Sequence, residues 1–119
     1  MTLMECYEEL GGNYQDAIGR LMTEKLLEKF VLKFPEEKTI HILLDAVDKG
    51  DTEAAFMAAH TLKGVAANLS FTRLQEAASA LTEQLRSKTE PADSSLVRDV
   101  ESAYNATLGA IREYIAGMN

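Results

Sequence analysis

Ala58-Ala59-His60-Thr61-Leu62-Lys63-Gly64 reads as the middle of a helix running from about Thr52 to Asn68. At about 100° per residue, Ala55, Ala58, Leu62, Val65, Ala66 and Leu69 fall on one side of it. That i, i+3, i+4, i+7 stripe marks a helix packed against others. His60 lies roughly opposite the centre of the stripe and so faces solvent, with Lys63 and Gly64 as its i+3 and i+4 neighbours on the outer side. Phe56 and Met57 come one turn earlier, also off the stripe. A glycine inside a helix costs about 1 kcal/mol relative to alanine. Gly64 faces away from the packing stripe, so close approach of another helix does not explain it. Access does: a side chain at i+4 would stand beside the imidazole, and glycine leaves room for a bulky reaction partner. An exposed histidine, a lysine or a glycine alone signals little; the three together point to a functional histidine.

The 119 residues suit one ordinary domain, and 46% hydrophobic residues supply its core. Trp is absent and only 7 Gly and 2 Pro occur, as expected of an all-helical chain with short connections. A formal charge of −7 argues against nucleic acid or an anionic membrane as partner, since both want a basic face. With Cys6 the single cysteine, an intrachain disulfide and a cysteine-based metal cluster are both excluded. Met-Thr-Leu-Met-Glu at the start has neither a basic region nor a long apolar run, so no signal peptide is expected. No stretch reaches the ~18 apolar residues of a membrane span, and the cytoplasm is the expected compartment.

In chain order, Thr2 caps a short helix to Leu10 with Leu3, Cys6, Tyr7 and Leu10 on one face. Gly11-Gly12-Asn13 ends it, Asn13 capping two turns that pack Ala17, Ile18 and Leu21. Thr23 opens a helix expected to turn Leu26, Leu27, Phe30, Val31 and Phe34 inward. Pro35 breaks it and is expected at the first position of the next helix, with Glu36 and Glu37 at its positive end. That helix buries Ile40, Leu43, Leu44 and Val47 and stops at Gly50, and Asp51 caps the His60 helix. Ser70 is expected to cap the following helix, in which Phe71, Leu74, Ala78, Leu81 and Leu85 recur at steps of three and four. Residues 87–92 are the one linker-like piece. The last helix carries Val97, Val100, Tyr104, Leu108, Ile111, Ile115 and Met118 and ends at Gly117. Long helices joined by so short a turn lie antiparallel and adjacent. The expected fold is an all-α, antiparallel four-helix bundle with additional short N-terminal helices, a single domain over 1–119.

At Ala59-His60-Thr61-Leu62-Lys63-Gly64 the sequence resembles the histidine-containing phosphotransfer (HPt) domains of multistep phosphorelays. Upstream, Phe34-Pro35-Glu36-Glu37, Leu44, Ala46 and Gly50-Asp51 resemble that family's run into the histidine helix. Downstream, Ala66-Ala67-Asn68-Leu69, Leu74 and Leu81 resemble its turn and second bundle helix, so Phe34 to Arg86 is well covered. Val65 stands where many members have a small hydroxyl residue, and the stripe is expected to bury it.

The resemblance implies a phosphoryl shuttle. A receiver domain carrying phosphoaspartate docks, His60 Nε2 attacks phosphorus, and phosphohistidine passes the group to a second receiver. Attack requires a neutral imidazole, the form that carries a lone pair on the attacking nitrogen. Once the phosphoryl group arrives, Lys63 pairs with its oxygens. By resemblance, Ser79, Thr82 and Arg86 flank the site from the second bundle helix, Arg86 being the one to reach the phosphate or the partner. No cofactor of its own is implied; the Mg²⁺ of phosphoryl transfer sits in the receiver's acidic pocket. His41 has no motif around it.

Phe56, Met57 and Ala67, with Gly64, form an apolar patch around His60 on which a receiver is expected to dock, Leu3, Met4 and Tyr7 lying at its edge. The chain is expected to be a monomer and no enzyme. A sensor-kinase dimerisation pair would place an acid directly after the histidine, where Thr61 stands, and no Gly-rich ATP-binding segment exists. The phosphoacceptor module of a chemotaxis-type kinase, which shares fold and histidine, and a non-catalytic interaction bundle are the remaining alternatives. A metal-binding bundle would need inward Glu-x-x-His pairs, and none occurs.

Overall fold

Local capping chemistry sets the helix boundaries. The computed structural model describes residues 1–118, in which α1 (Leu3–Leu10), α2 (Tyr14–Leu21), α3 (Glu24–Lys33), α4 (Thr39–Asp48), α5 (Thr52–Asn68), α6 (Thr72–Gln84) and α7 (Ser94–Ala116) follow in order. A 3-10 turn at Phe34–Glu36 joins α3 to α4, and no strand occurs among the described residues. Thr2, Asn13, Thr23, Asp51 and Asp93 each accept a backbone N–H from the first turn of the helix they precede, satisfying donors that the helix itself leaves orphaned. Gly11 closes α1 in the left-handed region at φ 78°, a conformation open to glycine without a Cβ penalty.

Helices α4, α5, α6 and α7 pack each on the next, and the short connections 49–51 and 69–71 make α4, α5 and α6 antiparallel neighbours. On its inner face α5 buries Ala55, Ala58, Ala59, Leu62 and Ala66. Four of those five are alanines, which lets α4 and α6 approach its backbone closely. Leu43, Leu74, Leu81, Leu85, Val100 and Ile111 fill the space between with no exposed surface. The 3-10 turn and α3 also pack on α7. There Phe34 is buried edge-on to Phe71, 5.2 Å between centroids, and beside Tyr104 at 5.7 Å.

Helix α1 lies along α7. Met1 N comes within 3.6 Å of where a Gly117 Cβ would stand. At the other end Arg73 donates its N–H to Gly11 O at 2.9 Å and its Nη2 to Ser102 Oγ at 3.2 Å. The two helices therefore run antiparallel. Gly12 sits where a Cβ would be 2.7 Å from Tyr7 Cδ2, 2.9 Å from Leu10 Cδ1 and 2.9 Å from Ser70 O, so only glycine fits.

Several expectations are corrected. Leu26 and Phe30 are exposed, at 40% and 43%. Only Leu27 and Val31 of α3 are buried, because α3 touches the bundle along a narrow stripe. Pro35 lies inside the 3-10 turn and not in α4. Burying Phe34 forces a tight turn first, and α4 begins at Thr39, whose N–H (3.0 Å) and Oγ1 (2.5 Å) both donate to Glu37 Oε1.

Ser70 is no cap. At φ 54° it is left-handed, its Oγ donates to Asp16 Oδ2 at 2.5 Å, and its carbonyl accepts Asn13 N–H at 2.9 Å. It ties the α5–α6 turn to α2. At the end of α7, Ile115 (40%) and Met118 (47%) are exposed and Tyr114 is buried instead, its hydroxyl bonded to Glu28 of α3. Val65 is half-buried, lining a groove with Leu21, Phe30 and Leu69.

Candidate functional site

His60 is exposed at the middle of α5, as its phase against the buried alanines requires. One turn before it, the Phe56 ring lies parallel to the imidazole, at 11° and 6.1 Å between centroids. Four residues after it, Gly64 is exposed, and a Cβ added there would meet nothing within 4 Å. No neighbour in the fold therefore requires glycine, while any larger side chain would project into the space beside the imidazole.

Phe56 is the residue around which charges collect. It is half-buried, packed on the core rather than standing free as its position off the stripe suggests. The guanidinium carbon of Arg86 is 5.6 Å from its ring centroid, and Lys88 Nζ is 4.9 Å away; both distances allow a cation to meet the ring's negative face. Arg86 lies two residues past the end of α6 and donates from Nε and Nη2 to both oxygens of Glu83, at 2.8 and 2.9 Å. The hydrogen bond from Arg86 is the chief reason the Glu83 carboxyl is held below its ordinary range, and Lys63 of α5 adds to the effect. So Arg86, expected near the imidazole, is paired with Glu83 and stands over the ring that stacks on His60.

Lys88 was not legible in the sequence, since it lies in the linker-like stretch with nothing to mark it. Its backbone is left-handed at φ 61°, and its carbonyl accepts the Thr52 hydroxyl at 2.5 Å. That bond pins the linker to the first turn of α5, one turn before Phe56.

Of the other residues expected at the site, Met57 is exposed at 55% and Ala67 is half-buried. Ser79 is half-buried, but Thr82 is wholly buried, its Oγ1 donating to Ala78 O at 2.7 Å. Thr82 therefore offers nothing to a ligand beside His60. Leu3 and Tyr7 are core residues, and the Tyr7 hydroxyl donates to Leu69 O at 2.7 Å, at the far end of α5. Of the three expected at the edge of the patch only Met4 is exposed, at 44%. His41 is exposed on α4, and among the described residues no three His, Cys, Asp or Glu side chains come together as metal ligands.

An exposed histidine in mid-helix on an all-α bundle, with open space at i+4, is accompanied by a direct match of sequence. The model of the Hpt domain family matches residues 25–115. The chain belongs to the Hpt family. The matched span takes in α4, α5 and α6 and nearly all of α7, leaving α1 and α2 outside it. No curated protein and no solved structure matches at a significant level. As an Hpt domain the chain acts in histidine phosphotransfer within two-component signalling, a family that works with receiver domains and carries no kinase machinery. No helix among the described residues is long and apolar enough to cross a membrane.

Proposed function

We propose that His60 is the phosphorylated residue of a relay intermediate. It takes a phosphoryl group from a receiver phosphoaspartate and delivers it to the aspartate of another receiver, in the cytoplasm and as a monomer. The observation that carries this reading is the exposed imidazole of His60 with unoccupied space at Gly64 beside it. His60 Nε2 attacks phosphorus, the N–P bond forms as the acyl phosphate O–P bond breaks, and the aspartate leaves as carboxylate. The forward step to the acceptor is the reverse with a new aspartate. Mg²⁺ is supplied by the receiver's acidic pocket, and this chain contributes no cofactor and no ATP chemistry.

Lys63 and Arg86 neutralise the phosphoryl oxygens once they arrive. Phe56, Met57 and Ala67 form the apolar docking surface, polar at its rim, as transient interfaces are. The net charge of −7 opposes an acidic receiver pocket at long range, so short-range contacts dominate and binding stays readily reversible.

Incubation with a panel of phosphorylated receivers, followed by assay for acid-labile, alkali-stable phosphate, tests the reading. His60→Gln is expected to keep its helical content and take no label. Full labelling of that variant, or label lost only with His41→Gln, would show the assignment to be wrong.

A further inference from the structure

Glu83 binds Arg86 through two parallel bonds, Nε to Oε2 at 2.8 Å and Nη2 to Oε1 at 2.9 Å. That guanidinium is the one whose carbon lies 5.6 Å from the Phe56 ring, which in turn stacks on His60. From α5, Lys63 acts on the same carboxylate. Of the two cations assigned to the phosphoryl oxygens, Arg86 thus already has an anion bound to it in the unphosphorylated protein. A carboxylate matches the guanidinium fork in the same bidentate way as a phosphoryl group.

We infer that Glu83 is a built-in competitor for the phosphoryl group, a positioning residue that acts through Arg86 and sets how readily phosphohistidine gives its phosphoryl away. This rests on the reading of His60 as the phosphoacceptor. Before phosphorylation Glu83 holds Arg86 in place beside Phe56. Afterwards the phosphoryl oxygens and Glu83 contend for one guanidinium, and the two anions repel. The phosphorylated state is destabilised relative to the free one. Transfer onward, in which the N–P bond breaks as an acceptor carboxylate oxygen forms its bond to phosphorus, is favoured by the same amount. Two donor positions of Arg86 are taken and its Nη1 side is not, so the competition is partial.

The test uses the full chain equilibrated with a phosphorylated receiver. The readouts are the ratio of phosphohistidine to phosphoaspartate and the lifetime of phosphohistidine after the receiver is removed. Glu83→Gln keeps size and helix preference while removing the charge. It is expected to raise the ratio roughly two- to fivefold, the scale of one exposed charge pair, and to lengthen the lifetime. Glu76→Gln removes an equal charge from an exposed position earlier on α6 and is expected to leave both readouts near wild type. In an Arg86→Met background the effect of Glu83→Gln is expected to fall by more than half.

A Glu83→Gln ratio equal to wild type, a Glu76→Gln effect of the same size, or an effect undiminished without Arg86 would each overturn the inference while leaving His60 as the phosphoacceptor. Failure of the wild-type chain to take label from any receiver would overturn the functional reading, and this inference with it.

Discussion

The Phe56 ring and the His60 imidazole lie one helical turn apart on α5 as parallel plates, 11° and 6.1 Å between centroids. Phe56 rests on the core with one part and faces the imidazole with another, so its truncation acts on both stability and docking. Phe56→Ala is expected to cost about 1–2 kcal/mol of stability, the burial of part of a phenyl side chain. That is less than the ~2–5 kcal/mol typical of a core truncation such as Leu62→Ala. Receiver affinity is expected to fall by about 1–2 kcal/mol as well. Urea melts beside calorimetric titration separate the two losses, and unchanged affinity would remove Phe56 from the interface.

Gly64 gives opposite results for stability and function. With nothing within 4 Å of an added Cβ, Gly64→Ala is expected to stabilise the chain by up to about 1 kcal/mol on helix propensity alone. Gly64→Gln is expected to slow phosphotransfer and weaken docking, because the longer side chain fills the approach to the imidazole. Wild-type transfer rates for Gly64→Gln would show that access is not the reason for the glycine.

Gly12 is the contrasting glycine. A Cβ there meets Tyr7, Leu10 and the Ser70 carbonyl at 2.7–2.9 Å, and a backbone oxygen cannot step aside as a flexible side chain can. Gly12→Ala is expected to lose about 1–3 kcal/mol, with labelling of the folded fraction unchanged. A thermal melt read beside the labelling assay checks both halves.

Acid should loosen the same corner. The Ser70 hydroxyl, and secondly the Arg20 hydrogen bond, hold the Asp16 carboxyl below its ordinary range. Glu37 is held low by the Thr39 hydroxyl first. A depressed carboxylate binds fewer protons folded than unfolded, so its stabilisation is complete above the unfolded pKa, near 4, and is lost as pH falls through the lower folded value. Stability is therefore expected to drop below about pH 4, and Asp16→Asn to flatten part of that drop. Parallel pH-dependent urea midpoints for the two proteins would reveal a failure of this account as two curves of equal slope.

Most of the bundle was legible because one face of each helix is buried and caps obey local chemistry: Thr2, Asn13, Thr23 and Asp51 were all readable as caps. Misreadings fell where a tertiary contact overrides the local rule. Burial of Phe34 draws Pro35 into a 3-10 turn, and the demands of Asp16 and Asn13 turn Ser70 left-handed. Tyr114 rolls inward toward Glu28 and displaces Ile115. At the candidate site, helix phase alone placed His60, Lys63 and Gly64, which belong to one helix. Lys88 and Glu83 join them only through the packing of α6 on α5 and the Thr52 bond to the linker, relations that no spacing in the sequence records.

The antiparallel seating of α1 on α7 brings together the two ends of the sequence, whereas α5 and α6 meet across a tight turn. Contacts between distant segments carry a larger loop-closure entropy and are the readier to open locally. Amide hydrogens of Cys6 and Tyr7 are accordingly expected to exchange with deuterium sooner than those of Leu62 and Leu81. Any such opening of the amino-terminal helix breaks the Tyr7 bond to Leu69 O and the Arg73 bond to Gly11 O, so the looseness of one end of the chain is felt at the turn of the histidine-bearing hairpin.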